Sequence, residues 1–134
     1  MRKRLSPVTL MGAVRAVVEG GTGLPCVSDP DGRAAPFYGV ELRGTRPGAS
    51  KGLRLEEYEL LLHTFAPPAP SQVEALELAS RLEEALEVRA ALPAPYTVVS
   101  QEEAGIQQVK RDESGEWHVV TAYRVVVSYG IICK

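Results

Sequence analysis

From Trp117 to Cys133 the sequence alternates between two strand faces without a break, and this stretch constrains the fold more than any other. Val119, Thr121, Tyr123, Val125, Val127 and Tyr129 fall on one face, and His118, Val120, Ala122, Arg124, Val126 and Ser128 on the other. The first set is β-branched or aromatic throughout, as a core-facing strand requires. Fully extended, the segment would reach roughly 55 Å. A compact chain of this size is about 36 Å across. The strand must therefore bend or bulge, with Gly130 the natural place, or else project and pair with something outside its own domain.

The rest of the chain must supply the sheet that such a strand joins. The 134 residues make one domain, 45% hydrophobic and 24% charged, with enough length for a core that needs no disulfide or metal. Ser6-Pro7 reads as a helix start, Ser as N-cap and Pro at the first helical position. Leu10, Met11, Val14, Val17 and Val18 then form one apolar stripe at helical spacing, and Gly20, Gly21 and Gly23 end it. Leu24–Val27 is a short strand and Ser28–Gly32 a turn; Phe37–Arg43 is the next strand. Residues 44–52 combine three Gly and a Pro without periodicity and read as a mobile loop, and residues 1–5 as a flexible tail. Arg54–Phe65 alternates and reads as a strand, followed by the stiff connector Pro67–Pro70.

Ser71-Gln72-Val73-Glu74 fits a capping box, and a helix to about Val88 follows. Its apolar stripe is Ala75, Leu78, Ala79, Leu82, Ala85 and Leu86; Glu77 and Arg81 are a favourable i,i+4 pair on the acidic side. Tyr96–Val99 and Gly105–Lys110 read as two short strands, and Asp112–Glu116 as a tight hairpin turn into the last strand. The fold class expected is α+β: a mixed, mostly antiparallel sheet packed by two helices, with a long C-terminal β-hairpin.

Chemistry is sparse. The sequence holds no nucleophile elbow, phosphate loop, dinucleotide fingerprint or H-E-x-x-H. His63 and His118 lie on separate strands and could meet across a sheet, but no Asp, Glu or Cys stands near either at ligand spacing. Neighbours Glu56 and Glu57 point to opposite faces, and a solvated strand face is the reading for them and for Glu102-Glu103. No catalytic residue, metal or cofactor is expected. With a net charge of −2, duplex binding is not expected either. No apolar run is long enough to span a bilayer, and the basic start lacks an apolar h-region, so the chain is expected in the bacterial cytoplasm. Cys26 and Cys133 are then two free thiols.

Binding surfaces are the better candidates. Arg43, Arg46, Lys51 and Arg54 cluster in and around the loop at 44–52. The acidic helix face could meet that basic group on another copy. Trp117 either packs over the hairpin or anchors an interface, and Tyr129 lies on the long strand.

The order of these elements, with Pro36-Phe37-Tyr38, the Leu-His at 62–63, Gly105-Ile106-Gln107, the hairpin Lys110–His118 and the end Val127–Lys134, resembles a family of small uncharacterised bacterial and prophage proteins. Through it the chain is similar to the phage tail terminator (tail completion) proteins. The resemblance implies a homo-oligomeric, hexameric ring at the head-proximal end of a tail tube. Its partners would be other copies and other virion proteins, with DNA met only in passage through the ring lumen, and no membrane. The other reading is a cytosolic binding or regulatory module without a virion role.

Overall fold

The computed structural model describes residues 4–50 and 53–131, with the side chains of 49, 50, 53 and 131 left aside. The readings made for Arg2, Lys3, Lys51, Gly52 and Cys133 fall outside them. In chain order the elements are α1 (Pro7–Thr22), β1 (Cys26–Val27), β2 (Phe37–Ser50), β3 (Leu53–Ala66), α2 (Val73–Ala85), β4 (Thr97–Arg111) and β5 (Trp117–Ile131). The strands form one sheet in the order β1-β2-β3-β5-β4. Only β1 and β2 are parallel; the other pairs are antiparallel, so the expected α+β class with a mixed sheet and two helices holds.

Both helices pack on one face of the sheet. Leu10, Val14 and Val18 of α1 and Leu82 of α2 share a buried cluster with Tyr38, Val40, Tyr58, Leu60, Leu62, Tyr123, Val125 and Val127. These are the alternate positions of β2, β3 and β5, as a sheet with one covered face requires. The buried tyrosines keep their hydroxyls satisfied: Tyr38 donates to the Leu78 carbonyl and Tyr58 to the Leu5 carbonyl, each at 2.7 Å. Ser6 caps α1 through the Val8 N–H, and Gly23, in the left-handed region, ends it. Arg15 and Glu19 of α1 hold β1, bonding the Cys26 carbonyl and N–H at 2.9 Å each. Cys26 is fully buried, and burial above all pushes its thiol up to about 12, so it is inert.

Several expectations are corrected. Residues 44–50 are strand, not loop: β2 pairs with β3 residue by residue from Phe37–Phe65 to Ser50–Leu53, with Arg43 as a bulge. Cross-strand partners on β3 impose the extended form that the glycines and Pro47 alone do not favour. Leu5 is not tail but core, 3% exposed. The two strands expected at 96–99 and 105–110 are one, β4, carried through three register shifts; Gly105 takes a positive φ at one of them. The capping box does not form. Gln72 is the N-cap, and Ser71 bonds only the Val73 N–H at 3.4 Å. Helix α2 stops at Ala85 rather than Val88. Arg81 reaches across to the Thr22 carbonyl at the end of α1 (2.6 Å) instead of pairing with Glu77.

The last strand bulges where expected. Between the pairs Leu55–Ser128 and Leu53–Ile131, β5 holds one more residue than β3, and Gly130 has a φ of 100°. As far as it is described it does not project from the sheet: β3 flanks it from Trp117 to Ile131 and β4 from Trp117 to Ser128. A diameter of about 36 Å holds only for a round domain. Here β2, β3, β4 and β5 are all 14 or 15 residues long, so the sheet itself is elongated.

Candidate functional site

The sheet face turned away from the helices has no second layer among the described residues. Its alternation brings together side chains from four strands. At the end near the β4–β5 turn, Phe37 stacks on Phe65 (centroids 4.5 Å apart) and Phe65 on His118 (4.4 Å). Register explains this: Phe37 pairs with Phe65, and Phe65 with His118. His63 meets His118 edge to edge, Nδ1 to Nε2 at 2.7 Å, and its other nitrogen lies 2.6 Å from the Glu41 carboxylate. A cleft of about 310 Å³ opens beside them, walled also by Val27, Pro30 and Gly39.

Proton positions in the Glu41–His63–His118 chain follow from the acceptor count. His63 Nε2–H donates to Glu41. Its Nδ1 then accepts from His118 Nε2–H, or carries a proton itself and donates to His118. Either way only one hydrogen fits between the rings. Burial first, then the neighbouring His63, holds His118 below the usual histidine value. The histidines thus meet across the sheet, which the sequence left open but did not favour over two separate surface side chains, and Glu41 was missed. Register alone brings it there, since Gly39 faces His63 and Glu41 lies two residues further along β2. Among the described residues no three His, Cys, Asp or Glu side chains are grouped to hold a metal.

Further along the same face the residues are charged. Glu57 lies between Arg46 (3.6 Å) and Arg124 (3.2 Å), and Arg124 is the cross-strand partner of Glu102. Arg46, with its side chain 68% exposed, and the bulged Arg43 line the β2 edge. Arg54 is exposed on β3 but alternates to the opposite face from Glu57, so the basic group does not converge on one point. Trp117 packs on α2 with Val119, Ala75 and Leu78, and its Nε1–H donates to the Ala69 carbonyl at 3.0 Å. It ties the proline-rich connector to the sheet. Tyr129 is turned inward, 3% exposed, and its hydroxyl bonds the buried Glu56 carboxylate at 3.2 Å.

A third feature is an open cleft of about 580 Å³ between the ends of the helices, lined by Val17, Gly21, Arg81, Glu84 and Val88 among others. It brings no convergent catalytic groups together.

Comparison with known proteins adds three findings. A model of the phage tail terminator family described as "Putative tail termination protein" matches residues 1–134. No curated protein matches. Among solved structures, the chain is similar to one from the virion of a native gene transfer agent (GTA) particle, with a TM-score of 0.73 at 13% identity. The match covers 94% of this chain and 99% of that one, and at such identity it is a likeness of fold.

Proposed function

This chain belongs to the phage tail terminator family, and on that premise we propose that it is a subunit of a homo-oligomeric ring that ends a phage-type tail tube. The observation that carries the reading is the family match over residues 1–134. The shared fold with a chain of a virion particle supports it. On this reading the chain is a phage structural protein without a catalytic role, and its partners are other copies and other virion proteins. DNA passes through the lumen without being read, which suits a net charge of −2. The protein is made in the bacterial cytoplasm and ends in the particle. Arg43, Arg46 and Arg54 remain exposed and available to a partner.

Light scattering on the size-fractionated protein, with electron microscopy of tails made with and without it, tests the reading. Expected are a closed oligomer, six-fold by the family resemblance, and tails of irregular length when the chain is missing. A protein that stays monomeric at high concentration and leaves tails unchanged overturns the reading and favours a cytosolic binding module.

A further inference from the structure

The charged row on the open face alternates in sign across all four long strands. It begins at Arg46 on β2, passes to Glu57 on β3 and Arg124 on β5, and ends at Glu102 on β4. Glu57 is paired on both sides and Arg124 with Glu57, while Glu59, opposite Arg124 on the same face, makes no ion pair among the described residues; the row ends positive on β2 and negative on β4. At those ends the sheet is also unfinished. Among the described residues, β1 pairs with β2 only at Tyr38 and Gly39. On the other side, Gln101 bonds the backbone of residues 86, 88 and 90, and among the described residues no strand lies outside β4 beyond it. Residues 41–50 and 102–111 are therefore open edges, level with each other only around Glu41–Gly44 and Glu102–Gly105. Open edges of this kind invite pairing with another chain.

Direction fits a second copy, and level fits it over the short stretch where the two open edges overlap. The strands β2, β3, β5 and β4 alternate in direction, so the β2 of another copy beside β4 continues the antiparallel pattern. Leu42, Leu60, Tyr123 and Glu103 stand in one row across the sheet, and Gly44, Glu59, Arg124 and Glu102 in the next. Arg43 is the extra residue between Leu42 and Gly44. A copy placed alongside without slipping thus sets its Arg43 between Glu103 and Glu102 of its neighbour, with Arg46 two residues beyond Gly44. Burial first and then the neighbouring Glu103 raise the Glu83 carboxyl, and a guanidinium at Glu103 would offset that crowding of acidic groups. Pro47 offers no N–H, so main-chain pairing is broken there and the charges carry the choice of partner.

We propose that copies of this chain join head to tail through their sheets, the basic β2 edge of one against the acidic β4 edge of the next. The inference rests on the ring reading above and names its interface. The contact is heterologous, which is the kind that closes into rings. Matching charge favours it, and like charge excludes β2 against β2 and β4 against β4.

The test uses the full chain with Arg46→Glu, with Glu102→Lys, and as an equal mixture of the two, followed by light scattering. Circular dichroism checks that each variant is folded. Arg43→Glu, whose parent residue makes no ion pair within the described chain, repeats the test without disturbing Glu57. Each variant alone sets like charges edge to edge and is expected to weaken assembly on the order of a hundredfold. In the mixture each altered edge meets its complement, and assembly returns. Variants that assemble as the wild type does overturn the edge assignment and leave the ring reading standing. A wild-type chain that never assembles, alone or on tails, overturns the ring reading itself.

Discussion

His63 Nδ1 lies 2.7 Å from His118 Nε2, a separation that leaves room for one proton and excludes two. The two residues are far apart in sequence and meet because β3 and β5 are neighbours in the sheet. Phe65 stacks on His118 from one side, and Glu41 fixes the far nitrogen of His63. The open face is thus ordered by its own side chains, with no covering layer among the described residues.

Acid should loosen this end of the sheet. His118 is held below its ordinary value of 6.5, so the unfolded chain binds its proton more readily than the folded one. Stability from the neutral ring is complete above pH 6.5 and is lost as the pH falls from there through the lower folded value. The groups around it pull both ways: His63 and Lys110 oppose protonation, Asp112 and Glu41 favour it. His118→Gln removes the titration. Melting temperatures across this range should fall more steeply for the wild type than for H118Q, and parallel curves would remove the effect.

What the sequence could show was what depends on near neighbours. The stripe of α1, its Ser6 cap, the alternation of β5 and the bulge at Gly130 are local patterns of spacing and turn chemistry, and all were readable. Residues 44–50 were not, because Gly44, Pro47 and Gly48 signal a loop and only pairing with β3 makes them strand. Glu41 beside His63, and the row from Arg46 to Glu102, depend on registers among strands distant in sequence. Arg43 and Arg46 were legible as charge but not as the rim of an open edge. Tyr129 lies on the face that alternation marks as core-facing and is buried there; it was an interface candidate only through the projection of the strand that its length allowed.

Two adjacent glycines at the end of α1 should respond in opposite ways to alanine. A Cβ on Gly20 meets nothing within 4 Å, so Gly20→Ala gains helix propensity and should stabilise by about 0.5–1 kcal/mol. A Cβ on Gly21 would lie 2.6 Å from the Ala85 Cβ and 3.1 Å from its Cα, where α1 and α2 touch. Backbone must shift to admit it, and Gly21→Ala should destabilise by roughly 1–3 kcal/mol. Urea unfolding of the two variants decides the matter; equal gains would mean that the helices separate freely.

The hydroxyls of Thr64 and Thr121 are buried without hydrogen-bond partners. They lie in neighbouring rows, Thr64 opposite Val119 and Thr121 opposite Leu62. Valine keeps the β-branched shape and removes the unsatisfied oxygen. Thr121→Val and Thr64→Val should each stabilise by about 1 kcal/mol in denaturant unfolding. A loss of similar size would show that water or a neighbouring carbonyl satisfies the hydroxyl in solution.

Tyr129 and Glu56 offer the sharpest test of the buried end of the sheet. Glu56 is 6% exposed, with Arg4 at 3.7 Å and the Tyr129 hydroxyl at 3.2 Å. The Arg4 side chain is 53% exposed, so that ion pair is largely screened and the phenol is the better-placed partner. Tyr129→Phe keeps the ring and its edge contact with Tyr96 while taking one donor from a carboxylate that has little access to water. The expected cost is about 1–3 kcal/mol at neutral pH. Tyr129→Phe with Glu56→Gln should recover part of it, because a neutral amide is cheaper to leave under-bonded than a charge. A double-mutant cycle by denaturant unfolding measures the coupling, and a coupling near zero would mean that the carboxylate is solvated by another route.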